Sequence, residues 1–204
     1  MKDQIVLVGN SNAGKSSLVR LLVGRGGKPA AGRSGKAPGT TRKPVVHEVP
    51  SGRLGGVARV VDTPGLGYFS STSKRRAEET RRSLVRYLEE NAGSFAAGVV
   101  VVSLPSFVRN VTKWEATQVP LDVEFVEFFE ELGVRPFVVA NKVDKIPRAR
   151  LEWHLDFVRD KVASRRNARW DVPIVGVSLK FRRNARELLE RLREFVGSRP
   201  VHSH

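Results

Sequence analysis

Between Gly9 and Ser16 the chain reads Gly9-Asn10-Ser11-Asn12-Ala13-Gly14-Lys15-Ser16, the spacing G-x-x-x-x-G-K-[ST]. Glycines so placed let the backbone curl until successive amides converge on an anion, and a following helix adds the positive end of its dipole. Residues 9–17, through Ser17, are the candidate phosphate cradle, with Lys15 reaching the β- and γ-phosphates of a nucleoside triphosphate and the Ser16 hydroxyl suited to Mg²⁺. A glycine-rich turn with an incidental lysine would not need the apolar run before it or the helical pattern after it.

Two further motifs bear on the same chemistry. Asp62-Thr63-Pro64-Gly65 closes an apolar run. A carboxylate there can hold an Mg²⁺-bound water beside Ser16, and the Gly65 amide, free of side-chain obstruction, can bond a γ-phosphate. D-x-x-G alone is a weak signal; its position at a strand end strengthens it. Asn141-Lys142-Val143-Asp144 follows another apolar run. The Asp144 carboxylate can accept from guanine N1–H and its exocyclic amine, donors that adenine lacks, while the Lys142 stem packs along the base. Ser178-Leu179-Lys180 would add a backbone amide for the guanine carbonyl.

The elements that must carry these motifs alternate along the chain. Short apolar runs at 5–8, 57–61, 99–102, 136–140 and 173–177 read as buried parallel strands, and helical patterns occupy 16–23, 77–90, 119–132, 151–163 and 185–196. Glycine follows two of these helices, at Gly24 and Gly133, where a left-handed cap suits it. Residues 45–49 are too near 57–61 for a crossover helix, and Ser51-Gly52 and Gly55-Gly56 lie between, so this pair reads as an antiparallel hairpin at a sheet edge. The expectation is an α/β fold of the P-loop NTPase type: a mostly parallel six-stranded sheet, one antiparallel edge strand, and helices on both faces. One domain over residues 1–198 with a tail at 199–204 accounts for the 204 residues. Residues 25–44 and 64–76 show neither period and read as long functional loops.

Composition narrows the classes. There is no cysteine, which excludes disulfide scaffolds and Cys-based metal sites, and no leader or apolar run of membrane-spanning length, so the cytoplasm is expected. Of the four histidines, His47 reads as a hairpin residue and His154 as a helix-face residue, His202 and His204 in the tail lack a third ligand for a metal site, and Trp114, Trp153 and Trp170 read as core or interface aromatics. The net charge of +15 is polarised. No acid falls between Asp3 and Glu48, while Glu115, Asp122, Glu124, Glu127, Glu130 and Glu131 form a stretch without Lys or Arg that reads as one helix's solvent face. A polyanionic partner or a merely soluble surface would each suit the surplus.

With these motifs in place, the chain resembles the Ras-like GTPases, within them the TrmE–Era–EngA–EngB group, and most of all the EngB (YihA) subgroup in its archaeal form. The resemblance rests on Gly9–Ser17, Pro38-Gly39-Thr40-Thr41-Arg42, Asp62-Thr63-Pro64-Gly65-Leu66-Gly67-Tyr68, Asn141–Asp144 and Ser178–Lys180. It implies a Ras-like G domain that binds GTP and GDP and hydrolyses GTP with Mg²⁺. By that likeness Lys15, Thr41 and Gly65 are the catalytic residues. Gly39, Thr40 and Thr41 join the phosphate site, and Thr41 engages Mg²⁺ alongside Ser16, although Thr40 could compete for the role. Asn12 matches an asparagine that in several members helps coordinate K⁺; as a residue it also reads as a turn position tolerating an unusual backbone angle. Leu179 stands where alanine is usual, and Ser103-Leu104 where many members carry Asp, a change the sequence does not explain.

Leu66 occupies the position of the water-orienting glutamine of Ras and cannot orient water, which implies slow intrinsic hydrolysis accelerated by K⁺ or a docked partner. The subgroup implies a switch in large ribosomal subunit assembly, linked to normal cell division and septation. Arg33, Lys36, Arg42, Lys43, Lys74, Arg75, Arg76, Arg81 and Arg82 beside the two loops suit contacts with rRNA phosphates; sequence-specific DNA binding is not expected. A competing reading is a GTP-dependent interaction module without relevant hydrolysis, recruiting proteins through the acidic helix at 119–132. An ATP-dependent kinase conflicts with Asn141–Asp144.

Overall fold

The structure is a computed structural model and describes residues 3–24, 43–65, 74–114, 121–164 and 169–198. Six strands form one sheet: β1 (Gln4–Val8), β2 (Val45–Glu48), β3 (Arg59–Asp62), β4 (Phe95–Ser103), β5 (Pro136–Asn141) and β6 (Ile174–Val177). Their order is β2-β3-β1-β4-β5-β6, all pairs being parallel except β2 against β3. This is the expected architecture, with the hairpin at the edge.

Period-two alternation sends each central strand's side chains into two cores. Ile5 and Leu7 of β1 join Val99 and Val101 of β4 beneath α1 (Lys15–Val23) and, reaching the same face, α6 (Ala185–Gly197). Val6 and Val8 join Val100 and Val102 against four helices on the other face: α2 (Lys74–Asn91), α3 (Leu104–Trp114), α4 (Leu121–Glu131) and α5 (Leu151–Ala163). Burial on both faces explains why these strands read as unbroken apolar runs. Among the described residues no helix is long and apolar enough to cross a membrane.

Three departures from expectation have physical causes. Helix α3 lies outside the helical patterns of the sequence. Its buried stripe is Leu104, Phe107 and Val111, a helical spacing, but it has only three residues and Pro105 falls inside it. Pro105 lies in the first turn, where a missing N–H is harmless, and Ser103 at the strand end bonds Ser106 through their hydroxyls at 3.1 Å. The change at Ser103-Leu104 is thus the entry to a helix. Second, α2 begins at Lys74, so the second irregular stretch ends earlier than expected. Third, the acidic stretch is not one solvent face: Asp122 and Glu130 are buried, and Glu130 accepts from the backbone amides of Arg169 (3.2 Å) and Trp170 (3.3 Å). Trp170 is likewise buried, whereas Trp153 is exposed and so belongs to no core.

Candidate functional site

The phosphate loop links β1 to α1 at the carboxyl edge of the sheet, where open α/β folds place their ligands. Gly14 has φ 116°, and a Cβ there would lie 2.1 Å from the Asn141 amide nitrogen, so only glycine fits. Asn12 has φ 63°, the left-handed conformation that asparagine tolerates. Lys15 is buried, and its ammonium donates to the carbonyls of Gly9 (2.8 Å) and Asn10 (3.2 Å), spanning the loop. Burial lowers its pKa to about 8, against the opposing pull of the Asp62 and Asp122 carboxylates.

Asp62, at the end of β3, accepts from the Ser16 hydroxyl at 3.2 Å through Oδ2. Its Oδ1 is buried with no hydrogen-bond partner, and burial raises its pKa. A buried carboxylate oxygen without a donor is costly, and a hydrated cation would satisfy it. Ser16 and Asp62 therefore fit a Mg²⁺ ion held by the hydroxyl directly and by the carboxylate through water. Thr63 turns away, its hydroxyl donating to the Leu7 carbonyl at 2.6 Å, so only its backbone and that of Pro64 can serve the loop. Gly65 lies so close to the loop that a Cβ would fall 2.8 Å from Ser11 Oγ, and that hydroxyl donates to the Gly65 carbonyl at 3.3 Å. Gly39, Thr40, Thr41, Leu66, Gly67 and Tyr68 lie outside the described residues, as do Arg33, Lys36, Arg42, His202 and His204.

At the other end of the edge, Asn141 closes β5 and is buried. Its Nδ2 donates to the Ala13 carbonyl at 2.7 Å and its Oδ1 accepts from the Leu179 amide at 3.1 Å, so one side chain ties the phosphate loop to the segment after β6. Lys142 follows in the left-handed region at φ 69°, and Asp144 Oδ1 accepts from the Ser178 hydroxyl at 2.5 Å. Because the Leu179 amide is committed to Asn141, the amide of the Ser178-Leu179-Lys180 triplet left for a ligand is that of Lys180. The chain thus brings its three separate motifs to one edge.

One residue at the site was missed by reasoning from motifs. Asp122, in the first turn of α4, accepts from Asn10 Nδ2 through both carboxylate oxygens, at 3.1 and 3.0 Å, and fixes the loop's second side chain. The signal was there: Asp122 shares its helix face with buried Phe125, Val126 and Phe129, an odd place for an acid. Burial raises its pKa to about 6, with Asn10 and Lys15 opposing. Below about pH 4 this carboxyl is protonated whether the chain is folded or not. Above about pH 6 the folded carboxylate carries the full desolvation cost, so stability falls as pH rises between these values. Asp122→Asn is therefore expected to gain stability relative to the parent, by about 3 kcal/mol, between pH 4 and pH 7. Urea denaturation of the nucleotide-free proteins at both values measures this; a pH-independent difference would contradict it.

The chain is similar to known GTPases. A family model described as "50S ribosome-binding GTPase" matches residues 4–142. A probable GTP-binding protein EngB of Methanopyrus kandleri is 40% identical over 195 residues, spanning 95% of this chain and 92% of that protein. The chain belongs to the EngB family of GTPases. A second EngB relative, from Methanosarcina barkeri, is 39% identical over 144 residues, 70% of this chain but 64% of its own length. A crystal structure of a probable GTP-binding protein EngB superposes with TM-score 0.78 at 29% identity, covering 96% of this chain and 100% of that one. Membership in EngB explains why the sheet, the hairpin edge and the three edge motifs occur together in one G domain.

Proposed function

We propose that this EngB-family chain is a GTP-operated switch with slow intrinsic hydrolysis that acts in assembly of the large ribosomal subunit, with the subgroup's link to cell division and septation. The observation that carries the nucleotide reading is the Asn141 bridge. It locks the phosphate loop to the base-side segment, so phosphates and base are read by one rigid unit. In this reading the amides of residues 9–17 bind the phosphates and Lys15 turns from the loop carbonyls to the β- and γ-phosphates. Asp144 and Lys142 hold guanine, with the Lys180 amide on its carbonyl. Mg²⁺, held by Ser16 and Thr41 and through water by Asp62, would neutralise phosphate charge. Thr41, paired with the γ-phosphate, and Gly65, already against Ser11, would report its presence.

Leu66, whose side chain cannot orient water, is what supports slow intrinsic turnover. Asn12, held at φ 63° in the loop, is the residue through which K⁺ would act, supplying positive charge beside the phosphates. The ribosomal reading draws on the family description and on the net charge of +15. The interaction-module reading has one observation in its favour. Between α2 and α4 runs a groove lined by the apolar Val85, Leu121, Phe125 and Phe128 and by Glu124, Glu127, Glu131 and Arg81, the last paired with Glu124, suited to a protein segment.

Single-turnover GTP hydrolysis in KCl and in NaCl, with and without large ribosomal subunits, separates the two. The switch reading expects acceleration of about tenfold or more by K⁺ or by subunits. Equal rates in all four conditions would favour the module.

A further inference from the structure

Among the described residues, arginines on exposed helix faces are mostly paired. Arg82 meets Glu78 at 3.1 Å, Arg81 meets Glu124 at 3.2 Å, Arg159 meets Asp156 at 2.6 Å and Arg186 meets Glu190 at 2.8 Å. Two of these, Arg81 and Arg82, are among the cations expected to face RNA. The loops that follow the adjacent strands β5 and β6 differ. Lys145, Arg148 and Arg150 on the first, and Lys180, Arg182 and Arg183 on the second, are exposed, and among the described residues none forms an ion pair.

An aromatic ring stands among them. Phe181 is 64% exposed; with Trp153 at 55% it is one of two exposed large hydrophobic side chains among the described residues. Trp153, three residues beyond Arg150, rests on the Phe157 ring at 5.5 Å. Among the described residues, the Lys180 ammonium is the one ring contact of Phe181, over one face at 5.0 Å. Its exposure is built in. The Ser178 amide donates to the Arg183 carbonyl at 3.1 Å, closing the loop with an antiparallel bridge, and Asn184 Nδ2 donates to the Gly176 carbonyl at 3.0 Å. Arg182 and Asn184 take left-handed angles of 56° and 59°, which tightens the turn and presents residues 180–183 at its tip.

A preordered loop that offers one bare aromatic face among unpaired cations has the chemistry of a single-strand platform: base faces stack on rings while cations follow the phosphates. Duplex RNA buries its base faces and would not use the ring. We infer that the loops after β5 and β6 form a contact surface for single-stranded RNA, a base stacking on Phe181 and flanking phosphates meeting Arg182, Arg183, Arg148 and Arg150. The inference rests on the RNA-containing partner proposed above and moves its contact from the two switch loops to the base-side edge. That edge is tied through Asn141 and Ser178 to the candidate guanine site, so nucleotide and RNA would share one rigid support.

The test is fluorescence anisotropy of the GDP-bound full chain with a 5′-labelled mixed-sequence single-stranded RNA of about 12 nucleotides and with a duplex of equal length, across a KCl series. Phe181→Ala should weaken single-strand binding about tenfold and leave duplex binding unchanged. Arg182→Gln with Arg183→Gln should lower the slope of log affinity against log salt by about 1.4 for the single strand. GDP affinity and melting temperature, unchanged in both variants, establish an intact fold. Equal single-strand affinity and salt slope in parent and variants would overturn the assigned surface while leaving an RNA partner standing. No RNA binding by the parent, with binding of poly-glutamate instead, would overturn both.

Discussion

Replacing Asp144 by asparagine is expected to lower affinity for GDP and GTP by about three orders of magnitude or more. In the proposed site its carboxylate accepts two hydrogen bonds from guanine. An amide in its place turns an NH₂ towards those donors, leaving groups unpaired in a largely buried setting. Asn at this position can still accept from the Ser178 hydroxyl, now 2.5 Å from Asp144 Oδ1, so the loop should keep its shape. The substitution also carries its own positive control. Xanthine has a carbonyl where guanine has the exocyclic amine, and an amide can donate to it. Asp144→Asn should therefore gain affinity for xanthosine diphosphate while losing GDP. A competition assay with labelled GDP and labelled xanthosine diphosphate reads both. A loss of less than about threefold for GDP would show that the base is held elsewhere.

Lys15→Met is the second large effect. The ammonium is proposed to supply charge-assisted bonds to two phosphates in a buried loop, and losing them should weaken GTP binding by roughly two to three orders of magnitude. The free chain should respond much less, because two terms oppose. Removing Lys15 relieves a desolvated ammonium whose pKa burial lowers to about 8, but it also takes the nearest cation from Asp62 and Asp122. Calorimetric titration with GTP in Mg²⁺, with thermal melting of the free protein as control, checks both halves. A loss of tenfold or less would mean that the loop amides alone hold the phosphates.

The strands that carry the site were legible because burial on both faces makes them continuous apolar runs. Residues 5–8 became Gln4–Val8 and 136–140 became Pro136–Asn141. Strand β4 is longer than expected, Phe95–Ser103 against 99–102, because its start, Phe95-Ala96-Ala97-Gly98, is poor in β-branched residues although nearly all of it is buried. Helix α3 is not legible for a related reason: three apolar residues around a proline, Leu104, Phe107 and Val111 about Pro105, resemble a loop until the sheet and α5 are there to bury them. Motif spacing picked out the segments that meet at the sheet edge, since Gly14 and Asn141 can sit together only where backbone and side chain nearly touch. It could not locate Asp122 or the unpaired cations after β5 and β6. Both depend on which polar groups the fold brings together, Asn10 with Asp122 across 112 positions and Arg81 with Glu124 across 43; short motifs carry no such information, and for Asp122 the one hint in the sequence is an acid on an apolar helix face.

One bridged sheet edge is proposed to hold guanine and phosphates together. Displacement of labelled GDP from the Mg²⁺-supplemented full chain by GTP, GDP and ATP tests this most directly. GTP and GDP should compete at concentrations about a thousandfold lower than ATP. Equal potency of ATP and GTP would contradict the assignment of Asn141, Lys142, Asp144 and the Lys180 amide to the base.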